Sequence, residues 1–239
     1  MAMHVFTDLE LMSIHVRALF TCNPDSRLLF INEPGIATAS APRLFLGRTR
    51  TGNIWRFRAD LSESLRQELD LLCADEPPVS TEFEEMPRHS ERYMRLLEKH
   101  APIKNVSNGP AYYFSEDIGP SRQPVDVTEK DAMSLRLGFQ ELIAELADWQ
   151  PFVALIVDGH AVSVSRSVRI TPEAHEAGVE TLPDFRGRGY AVDVAAAWAS
   201  RVRARGAIPL YSTSWENDAS QAVARKLHLV CYGADFSVG

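Results

Sequence analysis

Cysteine is scarce in this chain. Cys22, Cys73 and Cys231 are the only three in 239 residues, far apart and odd in number. A disulfide framework needs pairs and a thiolate zinc site needs close spacing, so neither is supported. Reduced, buried thiols in a cytoplasmic protein are the expectation. The seven histidines show no metal-type spacing. No apolar run approaches the ~20 residues of a membrane helix. Asp8 and Glu10 precede the first arginine, and nothing near the start reads as a secretory or transit segment. No Gly-x-Ser-x-Gly element points to a hydrolase triad. Repeats and low-complexity tracts are missing as well. The net charge of −7 and a pI near 5.5 speak against broad electrostatic binding to nucleic acid or anionic lipid, and leave a cationic substrate compatible.

What is there fits an ordinary globular core: 45% hydrophobic and 24% charged residues, enough for one large domain or two small ones. Residues 1–125 are broken up by Pro, Gly and charge. Within them 43–58 reads as a β-hairpin turning at Thr51-Gly52-Asn53, with Trp55 and Phe57 on one face. Ser62 caps a helix that places Leu65, Leu69 and Leu72 inward and ends before Pro77-Pro78. A second short helix covers Glu91–Lys99. Asn108-Gly109-Pro110 reads as a turn into a strand at Ala111–Phe114. The run Gly119-Pro120-Ser121-Arg122-Gln123-Pro124 marks a boundary, giving regions 1–125 and 126–239.

The second region is more regular. A helix over 129–148, capped by Thr128, would place Leu135, Phe139, Leu142, Ile143 and Leu146 on one stripe. Asp158-Gly159 between two apolar runs signals a hairpin. A strand over Glu176–Leu182, a helix over 190–205 stopped by Gly206, a strand over Ile208–Ser212, a helix capped by Asn217 or Asp218, and a last strand over 229–238 complete a mixed α/β pattern.

The chemistry concentrates at Leu182-Pro183-Asp184-Phe185-Arg186-Gly187-Arg188-Gly189-Tyr190-Ala191. A strand ends, a glycine-rich turn follows and a helix begins. Gly187 and Gly189 permit positive φ or close backbone approach to a ligand. The first helical amides lack intrahelical partners and, with the helix dipole, make a socket for phosphate. Arg186 and Arg188 add positive charge. A tight turn with solvated arginines would explain the same residues. The run is neither a Walker loop nor a dinucleotide fingerprint.

Arg186-Gly-Arg-Gly-Tyr-Ala191 fits the acyl-CoA signature Arg/Gln-x-x-Gly-x-Gly/Ala. About 26 residues after Arg188 comes Ser214-Trp-Glu-Asn217-Asp-Ala-Ser220. Together, over roughly 128–239, these motifs resemble the GNAT superfamily of N-acetyltransferases. The resemblance implies a mixed α/β fold: a mostly antiparallel twisted sheet, splayed at its fourth and fifth strands and flanked by helices, behind an N-terminal α+β region. That first region would be a degenerate copy of the same fold or a cover for the acceptor side. The resemblance also implies acetyl-CoA as cosubstrate and no metal. Backbone groups of Val179 to Thr181 would hold the acetyl-pantetheine end, and the amides of Gly187, Arg188, Gly189, Tyr190 and Ala191 the diphosphate, beside Arg186. Asn217 would bond the pantetheine or hold the splay, and Ser220 would sit one turn along. Arg225 and Lys226 would reach the 3′-phosphate or be a solvated helix face.

Attack on a thioester needs a neutral amine, so a base must take the ammonium proton. Glu176 matches the position of the family's base, with Glu180 and His175 as alternatives. Strand alternation puts Glu176 and Glu180 on one face. Where many relatives carry a tyrosine acid this chain has Ala224. Tyr232, Tyr211, Ser212 and Ser214 are the candidates to protonate the thiolate. The implied activity is direct acetyl transfer to a primary amine, of a small molecule first and of a protein second. A non-catalytic acyl-CoA-binding module is the rival. The expected partners are acetyl-CoA and an amine acceptor, with no nucleic acid and no membrane; a homodimer is left open.

Overall fold

The computed structural model describes residues 6–35, 39–116 and 118–239. Helix α1 (Asp8–Leu19) opens with a capping box in which Thr7 and Glu10 satisfy each other's amides. A small ribbon follows, β1 (Phe20–Cys22) and β2 (Leu28–Ile31). The expected hairpin is β3 (Leu44–Arg48) and β4 (Asn53–Phe57), so Asn53 begins the return strand instead of ending the turn. Ser62 caps α2 (Glu63–Ala74) by accepting from the Leu65 amide, and α3 (Ser90–His100) follows. Strand β5 covers Val106–Tyr113.

The chain continues through β6 (Val125–Asp126), β7 (Phe152–Val157), β8 (His160–Ile170), β9 (Ala174–Thr181), α4 (Tyr190–Ala204), β10 (Ile208–Ser212), α5 (Asp218–Lys226) and β11 (Val230–Val238). Asp158 and Gly159 both take positive φ between β7 and β8, the backbone a two-residue hairpin requires.

Two local expectations are corrected. No single helix spans 129–148. The segment makes 3-10 turns at Glu129–Leu135 and Gln140–Leu142, interrupted where Phe139 leaves the helical region (φ −137°, ψ 34°) and Gly138 lies against Leu182. Leu135, Phe139, Leu142 and Leu146 are nonetheless buried together, because 3-10 turns and an α-helix serve a three-to-four-residue apolar spacing alike. Nor does Asn108-Gly109-Pro110 turn. It lies inside β5, and a Cβ on Gly109 would stand 1.7 Å from the Thr213 carbonyl oxygen. Glycine serves there for close approach of two backbones.

Nine strands form one sheet in the order β4-β3-β11-β5-β10-β9-β8-β7-β6. Strands from both sides of the Gly119–Pro124 run enter it, and β5 lies between β10 and β11, antiparallel to both. The β9–β10 pair is parallel, and every other neighbouring pair is antiparallel. That pair is joined only at Ala174–Ile208, His175–Pro209 and Glu176–Leu210. Beyond it β9 follows β8 and β10 follows β5, so the sheet opens. These are the fourth and fifth strands counted from β6, where the splay is expected. On one face α4 and α5 bury Trp198, Val194 and Val223 against Val153, Leu155 and Tyr211. On the other, α1 buries Leu11, Met12 and Ile14 against Leu210, Ala111 and Tyr232.

Candidate active site

The glycine-rich turn joins the end of β9 to the start of α4. Gly187 has φ 77° and Gly189 φ 82°. An L side chain there costs about 1–2 kcal/mol through its Cβ, although open space surrounds Gly187. No side chain caps α4, and the first amides that bond back to Gly189 are those of Val192 and Asp193. The amides of Tyr190 and Ala191 thus face outward at the positive end of the helix dipole. Arg186 donates to the Thr181 carbonyl and Arg188 to the Asp184 carbonyl, which pins both exposed side chains beside the turn.

A cleft of about 680 Å³ opens between the β9–α4 corner and the β10–α5 corner. Val179, Thr181, Arg186, Gly187, Gly189, Tyr190 and Ala191 line one side, and Asn217 and Ser220 line the other. Arg188 is outside the lining, its guanidinium over the Phe185 ring at 5.2 Å. Asn217 caps α5 by accepting from the Ser220 amide at 3.0 Å. Lys226 also lines the cleft.

The acid–base candidates separate. Glu180 lines the cleft, half-exposed, and pairs with Arg166 at 2.6 Å. Glu176 is outside the cleft lining, 4% exposed, with neither carboxylate oxygen hydrogen-bonded. His15 of α1 brings Nδ1 to 3.8 Å from it. The same Nδ1 is 2.8 Å from the Tyr232 hydroxyl, and Nε2 is 3.4 Å from Asp235. Burial raises the Glu176 carboxyl against the opposing pull of the His15 charge. Burial would lower His15, but the Asp235 bond and the charges of Glu176 and Asp235 outweigh it and raise it. Tyr232 is fully buried on His15, away from the cleft lining, and its hydroxyl is held well above its ordinary value by burial.

His175 turns to the other face of β9. Its Nδ1 meets the Ser167 hydroxyl at 2.8 Å, and that hydroxyl accepts from the Trp198 indole at 3.0 Å. Burial lowers His175 to about 4, so it is a neutral link beneath α4. Of the tyrosines proposed as acids, Tyr211 is the one that lines the cleft, its hydroxyl donating to the Ser220 carbonyl at 3.3 Å. Ala224 is buried in the core with α4.

Sequence reasoning had no signal for His15, which reaches Glu176 only through tertiary packing. Cys22 is exposed, against the expectation of a buried thiol, whereas Cys73 is buried and Cys231 half-buried. Among the described residues no cluster of three or more His, Cys, Asp or Glu is placed to hold a metal ion, and no helix is long and apolar enough to cross a membrane.

Residues 152–232 match the family model described as GNAT acetyltransferase. The match runs from β7 into β11, across the splay, and residues 1–125 lie outside it. No curated protein matches the chain. Among solved structures, a GNAT-family protein of Novosphingobium aromaticivorans is 18% identical, with a TM-score of 0.47 over 57% of this chain and 66% of that one. An N-acetyltransferase-like protein of Streptococcus suis is 15% identical, with a TM-score of 0.47 over 83% of this chain and 85% of that one. A GNAT-family acetyltransferase of Colwellia psychrerythraea is 13% identical, with a TM-score of 0.46 over 78% and 76%.

Proposed function

We propose that the protein is an acetyl-CoA-dependent N-acetyltransferase that moves acetyl directly to a primary amine, of a small molecule in the first instance. The observation that carries the reading is the splay. Beyond Glu176 the edge of β9 has no partner on β10, and its unpaired backbone leads straight to the free amides at the start of α4. A long ligand with amide, thioester and diphosphate groups fits such a row of orphan donors and acceptors.

In this reading Val179 and Thr181 hold the pantetheine arm, and a β9 amide donates to the thioester oxygen as negative charge develops there. The amides of Gly187 to Ala191 hold the diphosphate, with Arg186 and Arg188 adding charge. Asn217 and Ser220 flank the arm from α5. Bound acetyl-CoA supplies the acyl group and a thiolate leaving group.

Glu176 takes the proton from the acceptor ammonium. Its raised carboxyl lies nearer the amine in proton affinity than an ordinary glutamate, which favours transfer. Its unpartnered oxygens are free to receive that proton, and His15 and Asp235 continue the polar path. Glu180 lines the cleft on the acceptor's path, its charge already paired with Arg166. Tyr211, at the cleft, is better placed than Tyr232 to protonate the departing thiolate. None of the cysteines enters the mechanism. The acidic chain acts in the cytoplasm, without nucleic acid or membrane.

A thiol reagent following CoA release over a panel of amino acids, polyamines, amino-bearing toxins and peptide N-termini tests the reading. Release with a subset of small amines is expected. Tight CoA binding by calorimetry with no release from any amine would replace it with a non-catalytic CoA-binding module, the reading that Ala224 favours.

A further inference from the structure

The approach to the glycine-rich turn holds one more cation than the motif accounts for. Asp193, in the first turn of α4, is an acid only 2% exposed. Its Oδ1 accepts from the backbone amides of Ser121 and Arg122 at 2.7 and 3.3 Å, and its Oδ2 takes Arg122 Nη1 at 2.6 Å. The chain ahead of β6 is thereby tied across the start of α4. Arg122 does not vanish into this pair, since its side chain remains 46% exposed. Its guanidinium lies 4.9 Å over the Tyr190 ring, and Tyr190 in turn stacks on Phe185. Arg188 lies over Phe185, so a stacked pair of rings links two guanidinium groups beside the turn. Arg122 Nη1 is 3.7 Å from the point a Cβ on Gly189 would occupy. Gly189 and Tyr190 both line the cleft.

Asp193 alone would set a negative charge at the helix end that is meant to attract an anion. Arg122 neutralises it, and its other N–H donors have no protein acceptor among the described residues. A guanidinium fixed by an ion pair and a ring loses little freedom on meeting a phosphate, and its planar fork suits two phosphate oxygens. We infer that Arg122 is a coenzyme-binding residue from outside the matched domain, its free N–H groups contacting the diphosphate held by the 187–191 turn. The inference rests on the acetyl-CoA reading above.

Calorimetry on the full chain with CoA and with dephospho-CoA separates the two. Failure of the wild type to bind either would remove the coenzyme reading, and this inference with it. Given wild-type binding, Arg122→Ala should weaken both ligands alike, by roughly tenfold or more, and flatten the salt dependence of Kd. Arg122→Gln, which retains an N–H donor for Asp193, should lose as much affinity and decides the matter if Arg122→Ala does not fold. In the double variant Arg122→Ala, Asp193→Asn the loss should persist. Recovery to wild-type affinity there would reduce Arg122 to a screen for Asp193 and overturn the contact. Unchanged affinity in the folded single variants, or a loss confined to CoA and absent with dephospho-CoA, would also overturn it.

Discussion

The two sides of the splay are built differently. On the cleft side, the candidate binding groups are backbone amides and short polar side chains drawn from one continuous stretch, Val179 to Ser220, and they face open space. Behind it lies a buried knot of side chains from distant parts of the chain: His15 from α1, Glu176 from β9, Tyr232 and Asp235 from β11. The first side is fixed by local geometry, namely two glycines at positive φ and a helix end. The second depends on the whole sheet being assembled, because no two of its elements adjoin in sequence. A glycine-rich corner can thus be written in a short motif, while a buried carboxyl with shifted proton affinity needs the rest of the fold around it.

The largest expected effect comes from separating the two halves. A chain of residues 126–239 lacks β5, which lies between β10 and β11, and lacks α1 and His15. It should be insoluble or unfolded by circular dichroism. A soluble, folded fragment that binds CoA would show that the cleft does not need the first region.

Glu176→Gln comes next. Turnover should fall by a factor on the order of 10²–10⁴, most steeply at low pH where free amine is scarce, with CoA affinity unchanged. Stability should move the other way. The folded-state carboxyl is raised, so its favourable contribution is complete below the ordinary value of 4.5 and is lost as pH climbs through the raised one. The variant should therefore melt above the wild type at pH 8, with the gap closing toward pH 4. A flat activity profile would remove Glu176 as the base.

Gly189→Val tests the cleft side alone. It places a β-branched residue at φ 82° and a side chain at the first turn. CoA should bind at least roughly tenfold more weakly, since about 1.4 kcal/mol of lost contact or strain corresponds to that factor. Wild-type affinity by calorimetry would contradict a backbone socket at this turn.

The smallest effect is expected from His15→Asn. His15 is raised in the fold, so its contribution to stability is complete below 6.5 and is lost as pH rises through the raised value. The melting temperature of the variant should lie further below the wild type at pH 6 than at pH 9. An equal gap at both would mean that His15 contributes packing and not charge.

Much of this architecture was legible because local rules suffice for it. Asp158-Gly159, the Ser62 cap, the α4 run and the stop at Gly206 are set by neighbours in sequence, and each is found where expected. The helix over 129–148 was not legible, because apolar spacing does not separate an α-helix from successive 3-10 turns. Gly109 read as a turn residue because the reason for it, the Thr213 carbonyl, is far along the chain. The same divide runs through the candidate site. Gly187, Gly189 and Asn217 announce themselves by spacing. His15 beside Glu176 and Arg122 beside Asp193 are meetings that only the assembled sheet creates.

Strand β10 forms one wall of the cleft, yet it holds the opposite wall through only three paired positions and leans on β5 through three more. Its tilt is thus governed from behind by a segment outside the cleft lining. Substitutions in Val106–Tyr113 would widen or narrow the gap between β9 and β10, much as a doorframe sets the fit of a door hung on it, and two chains with the same glycine-rich turn would then differ in how tightly they close on the same coenzyme.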